Sequence, residues 1–265
     1  MAIAVTSVSM VAVTGLLHAS ARFMRNQELQ VETTQAARAS IDSMVRDLRL
    51  GGACLPITGD FIALDGVNNG TEDQITTRAG IARPDLSCVN STTTADVVTG
   101  STTISVQNVN GFVVGMRAYI RGTDGSGEFF TISAVSSGSN TITRSPAASQ
   151  AYASTSGVYA IDERTYSINH WAASWGDTPE LMLEINNQGA QSFAVGIEKL
   201  DIQYQLARNC PPCDTVNIPA TDDEWRLVQQ IFLTVTARSD KKNLNGQYYR
   251  RTLTVGVKPR NLLPG

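Results

Sequence analysis

Cys210, Pro211, Pro212 and Cys213 form a C-x-x-C run, a spacing that serves three chemistries: dithiol exchange, half of a zinc site, or a short structural disulfide. Exchange of the thioredoxin kind needs a strand–helix setting, whereas this run follows a strand pattern and leads into a loop. Zinc needs two further ligands, and the chain has two His, of which His18 closes an apolar run. The disulfide is the preferred reading. Cys54 and Cys88 bring the count to four, and an even count in a Thr- and Ser-rich chain points to an oxidising compartment. Of the three pairings, Cys54–Cys88 and Cys210–Cys213 are expected, because each closes a local loop between turn-rich segments. Asp65–Gly66–Val67–Asn68–Asn69–Gly70–Thr71–Glu72–Asp73 is rich in oxygen donors of the kind calcium prefers, but its spacing is not that of an EF-hand, and turn chemistry accounts for it equally. Calcium there remains the alternative to a plain turn; otherwise no cofactor is expected and no metal ligand is assigned. Asp222–Asp223–Glu224 reads as a helix start or solvated turn. His170–Trp171 and Trp175 read as loop anchors or a partner contact. With no Ser/His/Asp set, paired carboxylates or Gly-rich phosphate loop, no catalytic residue, enzyme activity or small-molecule substrate is expected. A net charge of −3 gives no reason to expect nucleic acid.

The elements that would carry these groups begin with a helix over residues 1–52. Its first half, 1–21, contains the uncharged run Ala2–Leu17, with Val5, Val8, Val11, Val13, Leu16 and Leu17 as the apolar face. Ser7, Ser9, Ala12, Thr14 and Gly15 are small enough to let another helix approach closely. Sixteen uncharged residues fall between a core helix and a spanning one. No basic stretch precedes them, as one would in a signal peptide, so the run reads as a membrane or bundle helix. The second half, 22–52, is amphipathic. Ala37, Ile41, Met44, Val45 and Leu48 recur at steps of three and four and should lie on a sheet. Arg38, Asp42 and Arg46 share another face and can pair. Gly51 and Gly52 end the helix.

Residues 53–265 read as a β-rich body. Strand patterns with one apolar face are clear in Ile231–Ala237 and Leu253–Val257, the mark of an antiparallel sheet covered on one side. Between about 95 and 156 the charges thin out, and NG, DG and GS turns separate short strands at hairpin spacing, which suggests an inserted small β-subdomain. The expected class is α+β: a long N-terminal helix packed on an antiparallel sheet, with that insert.

The helix end, Ala37–Arg38–Ala39–Ser40–Ile41–Asp42–Ser43–Met44–Val45–Arg46–Asp47–Leu48–Arg49–Leu50–Gly51–Gly52 with Cys54 following, resembles the helix end of type IV pilus minor pilins of the PilW type and of the related J-type minor pseudopilins of type II secretion. Val195–Tyr204 is similar to a strand of that family, and the last two strands, the second ending at Arg260–Asn261, match in order. The resemblance covers both ends of the chain. It implies a pilin-like fold and a structural role in filament priming or tip assembly. The implied partners are other major and minor pilins, met through the N-terminal helix, and the inner membrane before assembly. The implied location is a single-pass inner-membrane protein with a periplasmic domain, later on the cell-surface pilus. The family's cleavage motif, a Gly, a Phe-like residue and a Glu, is absent, so no cleavage or methylation residue is assigned. Met1–Val5 resembles the middle of the family's apolar segment, and about nine further residues would bring it to spanning length. The competing reading is a membrane-anchored envelope binding protein or adhesin with the insert as its head.

Overall fold

One helix, α1, runs Ala2–Leu50. It contains no Pro, and its second half is rich in Ala, Leu, Arg, Gln and Glu, which lose little freedom in a helix. At about 1.5 Å per residue it is roughly 70 Å long. It stops at Gly51 and Gly52. Gly52 has φ +78°, and a Cβ there would meet the Asn261 carbonyl oxygen at 2.7 Å, so both backbone and space demand glycine. The Gly52 amide donates to the Arg78 carbonyl, tying the helix end to the sheet. The computed structural model describes residues 2–56, 58–85, 87–170, 178–243 and 245–262, with side chains of α1 from Val13 onward. Trp171 and Trp175, and the side chains of Val5, Val8 and Val11, lie outside the described residues.

In the rest of the described chain the regular structure is almost entirely strand, joined by turns and loops. In order these are β1 (Leu64–Val67), β2 (Gln74–Gly80), β3 (Asn90–Thr92), β4 (Thr103–Ser105), β5 (Arg117–Arg121), β6 (Gly127–Ser136), β7 (Thr141–Ser145), β8 (Gly157–Asn169), β9 (Glu180–Ile185), β10 (Gln191–Val195), β11 (Ile197–Leu206), β12 (Thr215–Val216), β13 (Val228–Lys242) and β14 (Tyr248–Val257). A short helix, α2 (Asp222–Arg226), precedes β13. The strands form two antiparallel sheets. A ten-stranded sheet runs β1-β2-β8-β5-β6-β7-β4, with β3 and β9 branching from β8 and β10 pairing with β9. A four-stranded sheet runs β12-β11-β13-β14.

Strand β8 organises the larger sheet. Its Tyr166–Ile161 stretch pairs with Ile75–Gly80 of β2, and its first residues pair with both β3 and β5. Alternation sends neighbouring side chains into two separate cores. Ala118 and Ile120 of β5 join Ile104, Phe130, Ile142 and Val158 in one. Tyr119, between them, joins Phe61, Ile161 and Tyr166 in the other, together with Leu200, Ile202, Leu233 and Val235 of the smaller sheet. Helix α1 closes this second core, bringing Ala37, Ile41, Met44 and Leu48 onto it.

Both disulfides are formed, Cys54–Cys88 and Cys210–Cys213, and no cysteine is free among the described residues. Cys54–Cys88 links the end of α1 to the segment before β3. Closing 34 residues restricts the unfolded chain by roughly 4 kcal/mol, and the short Cys210–Cys213 loop by about half as much.

The α+β, pilin-like class expected from sequence is overturned. The molecule is mostly β-sheet: two antiparallel sheets and a single long helix. The physical reason lies in β5. It hydrogen-bonds along β8 from Arg117↔Ile161 to Arg121↔Gly157, so the segment read as an inserted subdomain is built into the dominant sheet. The helix therefore covers only part of a predominantly β architecture.

Candidate functional site

The surface that distinguishes this molecule is the half of α1 that leaves the body. Every residue from Val13 to Glu28 is exposed, and Leu29 is the first described residue of the helix to be buried. From there the packed stripe runs Leu29, Thr33, Ala37, Ser40, Ile41, Met44, Asp47 and Leu48. Val45 is half-buried at its margin.

The apolar residues of the free half follow a different line. Val13, Leu17, Met24 and Val31 are each more than half exposed. At about 100° per residue they fall within roughly 40° of one another, and the packed stripe centres about 160° away. The contrast is local at Val31, which is 54% exposed although Leu29 and Thr33, two residues to either side, are 6% and 1% exposed. Leu16 and Phe23, 71% and 63% exposed, fall between the two lines, Phe23 at the angle of Ile41. One helix thus presents two apolar seams on opposite faces, and its own body uses one of them. Scattered exposed apolar residues need no explanation, but an aligned series on an isolated helix fits helix-to-helix packing.

The packed face is held by charge as well as by apolar contact. Asp47 is 4% exposed. Its carboxylate accepts from the Tyr166 hydroxyl at 2.6 Å and from Arg164 Nη1 at 3.0 and 3.2 Å. The Tyr166 hydroxyl also meets Ser43 Oγ at 3.2 Å. Burial, reinforced by the hydrogen bond to Asp47, raises the Tyr166 pKa, so the phenol stays protonated and donating. This network fixes the rotation of α1 on the sheet and hence the direction in which the free seam points. Arg46 leans to Asp47 at 3.3 Å, not to Asp42, while Arg38 and Asp42 are exposed.

The other groups with chemical promise are used by the chain itself. Asp73 is buried, and its carboxylate accepts from the Asn69 and Ile202 amides, both at 2.8 Å; burial raises its pKa. Asp65 turns to Arg78 and Glu72 to His170 Nε2 at 3.0 Å, so the oxygens of this loop diverge. Among the described residues no three His, Cys, Asp or Glu come together as a metal site. Asp222–Glu224 starts α2, where the Thr221 hydroxyl accepts from the Glu224 amide and the Glu224 carboxylate accepts from the Ala220 amide. Trp225 packs edge-on to Tyr204 at 4.9 Å. Cys210–Cys213 closes a loop after β11 that Arg208 and Asn209 brace through Asp214. His18 is exposed on the free half of α1. Asp47 was missed by the charge pattern, although its alignment with Ser40 and Ser43 beside the apolar stripe is a usable sign of a polar seam facing the sheet.

Among the described residues no helix is long and apolar enough to cross a membrane. Thr6, Ser7, Ser9 and Thr14 lower the hydropathy of the uncharged run of α1. What stands of the expected single-pass anchor is one N-terminal helix.

No protein-family model matches the chain, and no curated protein matches it. Among solved structures it is similar to the Gp54 tailspike of Acinetobacter baumannii bacteriophage AP22, in complex with A. baumannii capsular saccharide, at 18% identity and a TM-score of 0.26. That alignment covers 32% of this chain and 15% of the tailspike, a likeness too slight to bear on fold or activity.

Proposed function

We propose that the chain is a structural subunit of a helix-cored filament, a minor pilin of the PilW type, which joins its neighbours through the free seam of α1. The observation that carries this reading is the two-faced helix: Met44 and Leu48 are buried in the body, while Leu17 and Met24 stay exposed on the other face, Met24 in an open groove beside Asp240 and Lys241. The sequence of the helix end, Ala37–Gly52, supports the same assignment. In this account the β-rich body lies in the periplasm, the free half of α1 waits in the inner membrane, and it then exchanges lipid for the helices of major and minor pilins during priming or tip assembly. Hydroxyls do not bar that exchange, since helical Ser and Thr can bond their own backbone, as Thr33 does to the Leu29 carbonyl at 2.6 Å. The role is mechanical and requires no catalysis.

The test is Leu17→Asp/Met24→Asp in the producing cell. The variant should disappear from sheared filaments and stay with the cell envelope. Because both sites are exposed, the stability of the body should change by no more than ~0.5 kcal/mol. A variant recovered in filaments at the wild-type level refutes the assignment. An anchored adhesin instead predicts that the wild-type chain is itself absent from sheared filaments.

A further inference from the structure

Charge is unevenly divided along this chain. From Leu227 to the end, seven Lys and Arg stand against one Asp, a net of +6, while the first 226 residues carry fourteen basic and twenty-three acidic side chains, a net of −9. The basic excess sits on the last hairpin, and the fold gives it a definite place. Strands β13 and β14 lie along α1, with Asn261 beside Gly52 at the helix end and Asp240 and Lys241 lining a groove with Ala21, Met24, Arg25 and Glu28. The hairpin tip therefore stands where the free half of α1 leaves the body.

We propose that this tip is a membrane-surface foot, which takes the anionic headgroups of a phospholipid bilayer around the point where the helix enters it. The proposal rests on the reading that the free half of α1 is seated in a bilayer before assembly. Lys241, Lys242 and Arg251 on the hairpin and Arg22 and Arg25 on the helix are exposed, and none has an ion pair among the described residues. Arg238 and Arg250, by contrast, are tied to Glu198, Arg250 by two bonds at 2.7 and 2.9 Å. Glu28, Glu32 and Asp240 share this level, so the cations exceed the acids there without being alone. Tyr248 adds an aromatic anchor: Arg238, Lys242 and Arg250 lie 4.2, 5.3 and 6.0 Å from its ring centre. Half-buried tyrosines beside free lysines suit the headgroup layer, where amphipathic rings and basic chains concentrate. Cations gathered about one helix exit fit a plane pierced by that helix better than the linear track of a nucleic-acid duplex.

The experiment measures partitioning of the full chain onto phosphatidylethanolamine vesicles, with and without phosphatidylglycerol, across a salt series. The anionic lipid should tighten binding, and salt should remove the gain. At about fivefold per basic residue at an anionic surface, Lys241→Gln/Lys242→Gln should lose about 30-fold of that gain and leave binding to the neutral vesicles unchanged. A variant that keeps the full gain overturns the proposal. So does a DNA duplex bound more tightly than the anionic vesicles and released by the same substitution. The underlying helix reading is tested separately: it fails if Leu16→Asp/Leu17→Asp leaves binding to neutral vesicles intact. That result does not touch the lysine-dependent gain, so the two failures are distinct.

Discussion

Leu48→Asp should destabilise the body by about 5 kcal/mol or more, enough to unfold a domain of ordinary stability. Leu48 is fully buried, in a cluster with Met44, Val235 and Ala237. The substitution removes a large apolar side chain, worth about 2–5 kcal/mol, and leaves a carboxylate in an apolar cluster. Ile41→Asp should cost somewhat less, because Ile41 keeps 7% exposure and can lean toward water. Denaturant unfolding measures both. A midpoint unchanged from wild type in either variant would mean that the helix does not close the core.

The second large effect is expected at Asp47. Asp47→Ala should cost about 3 kcal/mol, since it deletes hydrogen bonds to a buried anion and strands their donors. The loss falls short of a fully buried pair because Arg164 is 27% exposed and keeps Asp162 as a second partner at 2.9 Å. Asp47→Asn preserves the shape and should cost about half as much. The phenol of Tyr166 supplies a further readout. With Asp47 gone, part of what holds its pKa up is removed, so its ionisation in a spectroscopic titration should move down toward the ordinary value. A Tyr166 titration unmoved by Asp47→Ala would contradict the network.

What could be read from the sequence was local. The long helix follows from an absence of Pro and a three–four stripe, and its end from two glycines. Strand β8 occupies Gly157–Asn169, a stretch holding Val, Ile, Thr and Tyr that reads as one strand. What escaped was long-range. Nothing in RAYIR states that it will pair with Gly157–Ile161 some forty residues later, so a stretch of the main sheet read as an insert and the molecule read as α+β. Asp73 looked like a member of an open acidic loop. It is buried because the Ile202 amide, on the other sheet, needs an acceptor there. The free seam could be read in part: Val13, Leu16 and Leu17 are visible as apolar, but that Met24 and Val31 stay exposed opposite the packed stripe emerges only once the packed face is fixed.

The central claim is that the two faces of α1 serve different chains, and cysteine cross-linking tests it most directly. All four native cysteines are in disulfides, so an added thiol reports alone. Single cysteines at Leu17 and Met24, on the free seam, should give inter-chain dimers on oxidation of assembled material in severalfold higher yield than cysteines at His18 and Arg22, roughly on the opposite side of the same exposed stretch. Equal yields at all four positions, or no inter-chain dimer at Leu17 and Met24, would contradict the account.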